Sequence, residues 1–476
     1  MDAFNYLIVS DLHLRGGFNN PTLGLYHFDE EFADFLRYYR LHRGSNRPWH
    51  LVIGGDFIEF LYITDRPDPN ERMLKGCTFL DSEYRYGAGT EPPKSRWKLD
   101  RILRSSHPQL LLALARFVAE GNSISILRGN HDSEMFWPEV QEHFRRLIAE
   151  HHPVDVSYMA MKEAVAARVQ FPEWFLYVPE LLYVEHGCQY DPFCCFQYFL
   201  NPVVPEHPTL IQMSIGELSI RYFTNQMKMI NAMAAENIKS VSEYVWWVLR
   251  GNLKVMPRTF RLYVAMVRRV LAKSGRPDPQ AESSVRAEHE RRVAAFDAHY
   301  GLPQGTATAV DAMRATPVMR YPFAMARFLA LDLIVGALAL ALAAVAVVVW
   351  YPARVGLLAL VAALAAGGSI AYIGALRFRR VTEAAQLNRT AERIAQLFRV
   401  PYVVFGHSHG AGNWRLPGGS SYVNVGTWVP EGEAAYFVYF VAEGDGASPS
   451  GRLWRWNKAK REPEPFEGSN HASVTE

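Results

Sequence analysis

Five times along this 476-residue chain a short apolar run stops at a cluster of Asp, His, Asn or Gly. Residues 6–9 run into Ser10, Asp11, Leu12 and His13, and residues 51–53 into Gly54, Gly55 and Asp56. Residues 123–127 run into Arg128, Gly129, Asn130, His131 and Asp132. Strand-like runs over residues 169–183 end at Val184, Glu185, His186 and Gly187, and residues 402–405 at Gly406, His407, Ser408 and His409. Runs of this length bounded by turn formers read as buried strands. Helical spacing lies between them: residues 27–41 place Phe32, Phe35, Leu36 and Tyr39 on one face, and residues 99–118 and 385–398 read as further helices. Alternation of strand and helix predicts an α/β fold of packed layers. In such folds the carboxyl ends of neighbouring strands converge on one crevice, so the five clusters are expected to meet.

Composition narrows the chemistry of that crevice. Hydrophobic residues make up 49% of the chain, enough for a large core. A formal net charge of +2 gives no general case for nucleic-acid binding. The four cysteines, Cys77, Cys188, Cys194 and Cys195, contain no CxxC pair. That argues against a thiolate zinc site and fits a reducing compartment. Residues 1–14 lack the basic and apolar regions of a signal peptide. The donors on offer are imidazoles, the carboxylates of Asp11 and Asp56, and the amide oxygen of Asn130. This mixture suits Mn, Fe or Zn better than the all-oxygen cage that Ca takes. Taken singly, each cluster reads more readily as turn chemistry or a hydrogen-bonded histidine. The ordered set of five is much harder to produce by chance.

In that order the motifs are Asp-x-His, Gly-Asp, Gly-Asn-His-Asp, His and Gly-His-x-His. They resemble those of the calcineurin-like metallophosphoesterase superfamily, over about residues 4–195 and 385–457. The resemblance implies a four-layer α/β sandwich around two divalent metal ions, manganese first, with iron or zinc as alternatives. It implies Asp11, His13 and His409 on one ion, Asn130, His186 and His407 on the other, and Asp56 between them. A shared carboxylate offsets the repulsion of cations about 3.5–4 Å apart, and the pair activates water and polarises phosphoryl oxygens. His131 resembles the family's catalytic histidine, which stabilises the transition state or protonates the leaving oxygen. Asp132 is expected either to orient His131 or to cap its loop. Cys188 stands where many relatives carry His or Asp, and reads as a small buried apolar side chain, as do Cys194 and Cys195. The stretches Asp11–Leu14 and Gly55–Glu59 resemble the branch that contains UDP-2,3-diacylglucosamine pyrophosphatase. That implies a phosphate-ester or pyrophosphate substrate, lipid- or nucleotide-linked. His131 departs from the Arg typical of that branch.

Between the fourth and fifth clusters the chain changes character. Residues 210–271 read as largely helical and carry Arg250, Lys254, Arg258, Arg261, Arg268 and Arg269 among aromatic residues, with Lys273 just beyond. Such a face suits an anionic leaflet, nucleic-acid phosphates or plain solvent. Residues 273–291 read as a polar linker. Residues 328–350 are apolar except for Asp332, and residues 355–376 carry no charge. Each run exceeds the ~20 residues that span a bilayer, and the link between them is short, which predicts a transmembrane helical hairpin. Arg314, Arg320 and Arg327 before it, and Arg377, Arg379 and Arg380 after it, place both flanks in the cytoplasm by the positive-inside rule.

The expected organisation is a metallophosphoesterase domain in two parts (1–200 and 380–460), a helical insertion (201–327), the hairpin (328–376) and a disordered tail (461–476). The expected protein is a phosphoesterase anchored in the cell membrane by two helices, with its catalytic domain on the cytoplasmic side. A non-catalytic membrane scaffold or sensor, and a nuclease or phosphodiesterase acting on nucleic acid, are the competing readings.

Overall fold

Alternation along single strands sets the layers. In β1 (Asn5–Val9) every residue is buried, yet neighbours point into different cores. Leu7 and Val9 pack with Phe32, Phe35, Leu111 and Leu114 from helices, whereas Tyr6 and Ile8 pack with Val184, Val404 and Val423 from a second sheet. A strand covered on both faces reads as a continuous apolar run, which is what the sequence carries here.

The computed structural model describes residues 4–16, 28–226, 256–273, 275, 277–329, 331, 342, 345, 383–429, 435–440 and 451–466. After β1, the strands are β2 (Trp49–Ile53), β3 (Ser123–Ile126), β4 (Val169–Gln170), β5 (Leu176–Val178), β6 (Leu182–Val184), β7 (Val203–Val204) and β8 (His207–Ile211). They continue with β9 (Tyr402–Phe405), β10 (Gly412–Arg415), β11 (Ser421–Asn424), β12 (Ala435–Phe440), β13 (Arg452–Asn457) and β14 (Glu462–Pro465). One sheet runs β14-β13-β12-β1-β2-β3-β4 and a second β10-β11-β9-β6-β5, with β7 and β8 as a separate pair. β1 to β4 are parallel, as are β6, β9 and β11. Parallel neighbours require crossovers. Helix Asp29–Leu41 supplies one between β1 and β2, and helices Pro92–Ser106 and Pro108–Ala119 lie between β2 and β3. The outer face of the second sheet, through Tyr183, Val403, Phe405 and Tyr422, packs on helices Pro279–Tyr300 and Glu383–Phe398. The molecule is thus a mixed α/β structure layered helix, sheet, sheet, helix.

The transmembrane hairpin expected over residues 328–376 is corrected. Among the described residues no helix is long and apolar enough to cross a membrane, and nearly all of the hairpin segment lies outside them. The long helices that are described, Met256–Lys273 and Pro279–Tyr300, carry charges throughout, which a bilayer core does not tolerate. The fold is therefore described without a membrane element, and the multi-pass cell-membrane placement with a cytoplasmic catalytic domain falls with the hairpin. On helix Met256–Lys273, Met266, Val267 and Val270 pack against Ile215, Leu218, Val318 and Met325. Arg250 and Lys254, expected on the same basic face, lie outside the described residues.

Three local expectations also change. The helix read over residues 99–118 is two helices, because Pro108 has no amide to donate and disfavours helical backbone at the residue before it. The linker read over 273–291 lies largely in helix Pro279–Tyr300. Asp278 caps the helix at the Ala281 amide, 2.9 Å, and Gly301 ends it at φ 61°. Val285, His289, Val293 and Phe296 give it one buried face among many charges. Of the tail expected over 461–476, Glu462–Pro465 instead pairs with β13 as an edge strand, where proline is tolerated, and residues 467–476 lie outside the described residues.

Candidate metal centre

The loops that follow β1 and β2 are stitched together by backbone. The Asp11 amide donates to Gly55 O (3.1 Å) and the His13 amide to Asp56 O (2.9 Å). The loops after β6 and β9 are joined the same way, with the Gly406 amide donating to His186 O at 3.1 Å. Side chains tie these pairs to each other and to the loop after β3. Asp11 Oδ2 accepts from the His407 amide (3.0 Å), and Asp56 Oδ1 accepts from the His131 amide (2.8 Å). All five clusters therefore reach one crevice.

The backbone there is strained. Among the described residues ten non-glycine residues have positive φ, and five of them are Asp11 (54°), His13 (45°), Asp56 (48°), His407 (66°) and His409 (57°). Such conformations cost roughly 1–3 kcal/mol each and persist where function holds them. Glycine supplies the close approaches. A Cβ at Gly129 would overlap Asp56 Oδ1, and one at Gly406 would overlap Asp11 Oδ2.

Two groups of donors result. Asp11, His13 and His409 form one: His409 Nε2 is 3.2 Å from Asp11 Oδ1 and 3.1 Å from His13 Nε2. Asp56, His186 and His407 form the other, with His186 Nε2 3.2 Å from Asp56 Oδ2. Asp56 Oδ2 also lies 3.9 Å from His13 Nε2, so this carboxylate stands between the groups. Donors bound to one ion at about 2.0–2.2 Å sit roughly 3 Å apart, which these spacings match. Asp11 Oδ1, Asn130 Oδ1 and His186 Nε2 are buried and have no hydrogen-bond partner among the described residues. Buried polar atoms are nearly always partnered. These three are an anionic oxygen, an amide oxygen and an imidazole nitrogen, a donor set that fits divalent cations.

The electrostatics agree. Burial works to raise the Asp11 carboxyl, yet the neighbouring rings of His13 and His409 hold it well below the ordinary range. Burial likewise opposes Asp56, and the charges of His186 and His131 drive it far down. Burial lowers His13, but Asp11 and Glu59 outweigh it and push the ring up to about 10. His186 is pushed up to about 9 by Asp56 against the same burial. The pocket thus holds ionised carboxylates and draws positive charge to itself.

Outer contacts aim the rings. His186 Nδ1 donates to Gly54 O at 2.9 Å, which turns Nε2 towards Asp56. Glu59 Oε2 accepts from both His13 Nδ1 (2.9 Å) and His131 Nδ1 (2.6 Å). The His131 ring stands edge-on to His13 at 4.7 Å, with its side chain 12% exposed at the rim of the crevice. Asp132 does not face that ring. Its oxygens accept the amides of Phe57 (2.9 Å) and Gly129 (2.6 Å), so it clamps two loops, and Glu59 orients His131 instead.

Asp11, His13, Asp56, Asn130, His131, His186, His407 and His409 all border the crevice, and Asp132 braces it from behind. Two residues there had no assigned role in the sequence: Glu59 and Asp191, whose Oδ2 is 3.2 Å from His407 Nε2. Glu59 lies three residues beyond Asp56, which is a usable signal, while Asp191 follows His186 in a stretch with no motif. A scan of protein-family models and a search of curated proteins both return no match to this sequence.

Proposed function

We propose that this chain is a dinuclear metal-dependent phosphoesterase that hydrolyses phosphate ester or anhydride bonds. The observation that carries the reading is the set of three buried, unpartnered donors, Asp11 Oδ1, Asn130 Oδ1 and His186 Nε2, in one crevice beside a carboxylate that separates two donor groups. Asp11, His13 and His409 would hold one cation, Asn130, His186 and His407 the other, and Asp56 both. Manganese fits the mixed N and O donors, as do iron and zinc. Bound there, two divalent cations supply Lewis-acid polarisation of the phosphoryl oxygens and a nucleophile at neutral pH. The protein's own part is to fix the donors and to manage a proton. With Nδ1 of His131 held by Glu59, Nε2 is the atom left to protonate the leaving oxygen as its bond to phosphorus breaks. The Glu59 carboxylate fixes the orientation of that ring, and solvent, which reaches its partly exposed side chain, supplies the next proton after each transfer.

The test uses full-length protein stripped of metal and reloaded with Mn. Nitrophenyl phosphate mono- and diesters and a nucleotide-linked pyrophosphate are offered as substrates. Turnover should require the metal, and Asp56→Asn should lose it by at least about 100-fold while keeping its circular dichroism. Protein carrying two Mn ions but inert on every ester and anhydride would overturn the hydrolase reading. An active Asp56→Asn would remove the bridging role.

A further inference from the structure

The loop after β6 passes from His186 through the turn Cys188–Tyr190 to Asp191. Asp191 is 3% exposed. Its Oδ1 accepts the Phe193 amide at 2.9 Å, and its carbonyl accepts the amides of Cys194 (3.2 Å) and Cys195 (2.9 Å). The side chain is therefore fixed by its own turn before it meets anything else. The remaining oxygen, Oδ2, lies 3.2 Å from His407 Nε2. His407 shares a donor group with Asp56 and His186, and its ring stands edge-on to His186 at 5.2 Å. An imidazole binds a cation through one nitrogen, and the partner of the other nitrogen decides which.

We propose that Asp191 is the positioning residue of the second metal position. It accepts the Nε2 proton of His407, which commits Nδ1 to the cation and makes it a stronger donor. The inference rests on the reading above, in which His407 holds a metal ion. It also makes the two positions unequal in a definite way. His13 in the first position is backed by the carboxylate of Glu59. In the second, His186 is backed by the neutral Gly54 carbonyl. The carboxylate of Asp191 is thus the anionic support for the second position, and losing it should weaken that position alone.

The experiment counts bound Mn on full-length, metal-stripped protein by equilibrium dialysis with elemental analysis. Electron paramagnetic resonance reports whether the ions form a coupled pair. Wild type should bind two ions and show the coupled signal. Asp191→Ala should keep one ion at wild-type affinity and bind the second about 10–100-fold more weakly. Asp191→Asn keeps an acceptor but not the charge, and should fall between the two. Asn is nearly isosteric, so its melting in the metal-free state guards against misfolding. Unchanged affinity of the second ion in both variants overturns the inference. So does equal weakening of both ions, the mark of a merely structural role. Cys194 offers a donor within 4.8 Å of Asp191 and His407. A third equivalent, bound as zinc by wild type and lost in Cys194→Ser, would make Asp191 a ligand and also overturn it. Wild type that binds fewer than two ions would sink the dinuclear reading and this inference together.

Discussion

At the scale of single residues, one oxygen of Glu59 holds both a candidate ligand, His13, and the candidate acid, His131. Burial alone would raise this carboxyl, but the His131 charge and the hydrogen bond from His13 bring it to about 2, so it is ionised under all ordinary conditions. Glu59→Gln keeps the volume and replaces the carboxylate that accepts the His131 Nδ1 proton. At saturating Mn, kcat should fall about 10²–10⁴-fold with KM nearly unchanged. The loss should be larger for alkyl than for nitrophenyl esters, because nitrophenolate leaves without a proton. Equal losses on the two ester classes would show that Glu59 does not work through the acid. The contrast with Asp132 shows what sequence carries at this scale. Asp11, His13, Asp56, Asn130 and the histidines are legible because each sits where an apolar run stops. Which carboxylate faces His131 depends on how three loops approach: adjacency in sequence left Asp132 between orienting that ring and capping its loop, and tertiary geometry gives Asp132 the loop amides and Glu59 the ring.

Among the elements, helix Ile215–Tyr222 opens with a reciprocal cap. Ser214 Oγ accepts the Glu217 amide (3.3 Å), and Glu217 Oε2 accepts the Ser214 amide (2.8 Å). Glu217 is buried and its other oxygen has no partner among the described residues. Burial lifts its carboxyl well above the ordinary range, and the charges of Asp56, Glu134 and Glu59 add to this against the Ser214 hydrogen bond. The folded protein therefore keeps a proton that the unfolded chain has lost. Stability from this group is complete below the unfolded value, near 4.5, and is lost as pH rises from there through the folded value. Glu217→Gln keeps the cap and removes the titration. In urea melts of metal-stripped protein, the variant should match wild type near pH 4.5 and exceed it increasingly towards pH 8. A constant difference across that range would refute the assignment. A second helix makes a different case: Lys98 and Glu134 form an ion pair with both side chains 2% exposed. Removing one partner, as in Lys98→Met, should cost about 3–5 kcal/mol in the same assay. A change under 1 kcal/mol would mean that water reaches the pair. Strands β1, β2, β3 and β9 were legible because each is a short apolar run, within two residues of its observed ends. Helix Pro279–Tyr300 was not, because its five buried positions are scattered among charges that dominate the composition.

Across the whole molecule, the two ends of the chain share both the sheets and the crevice. β1 pairs with β12, β6 pairs with β9, and His13 meets His409 across 396 residues. A cation held by Asp11, His13 and His409 binds only when these segments are assembled, so its binding energy becomes folding energy. At 100 times its dissociation constant, one bound ion adds about 2.7 kcal/mol. The size of this effect should depend on pH with a definite sign. In the metal-free protein His13 is raised to about 10 and His186 to about 9, and both are protonated at neutral pH. Their raised values stabilise the metal-free fold fully below about 6.5, the unfolded value, and that contribution is lost as pH rises through 9 to 10. Cations must displace the same protons, so the metal-bound form gains where the metal-free form loses. The gap in Tm between Mn-loaded and stripped protein should widen from pH 6.5 to pH 9, and should nearly vanish in Asp56→Asn. Titration calorimetry in two buffers of different ionisation enthalpy should show protons released on Mn binding at pH 7, approaching two per dinuclear centre. A gap that is flat with pH, or binding without proton release, would mean that these imidazoles do not give up their protons to the metal, and the donor assignment would have to be abandoned.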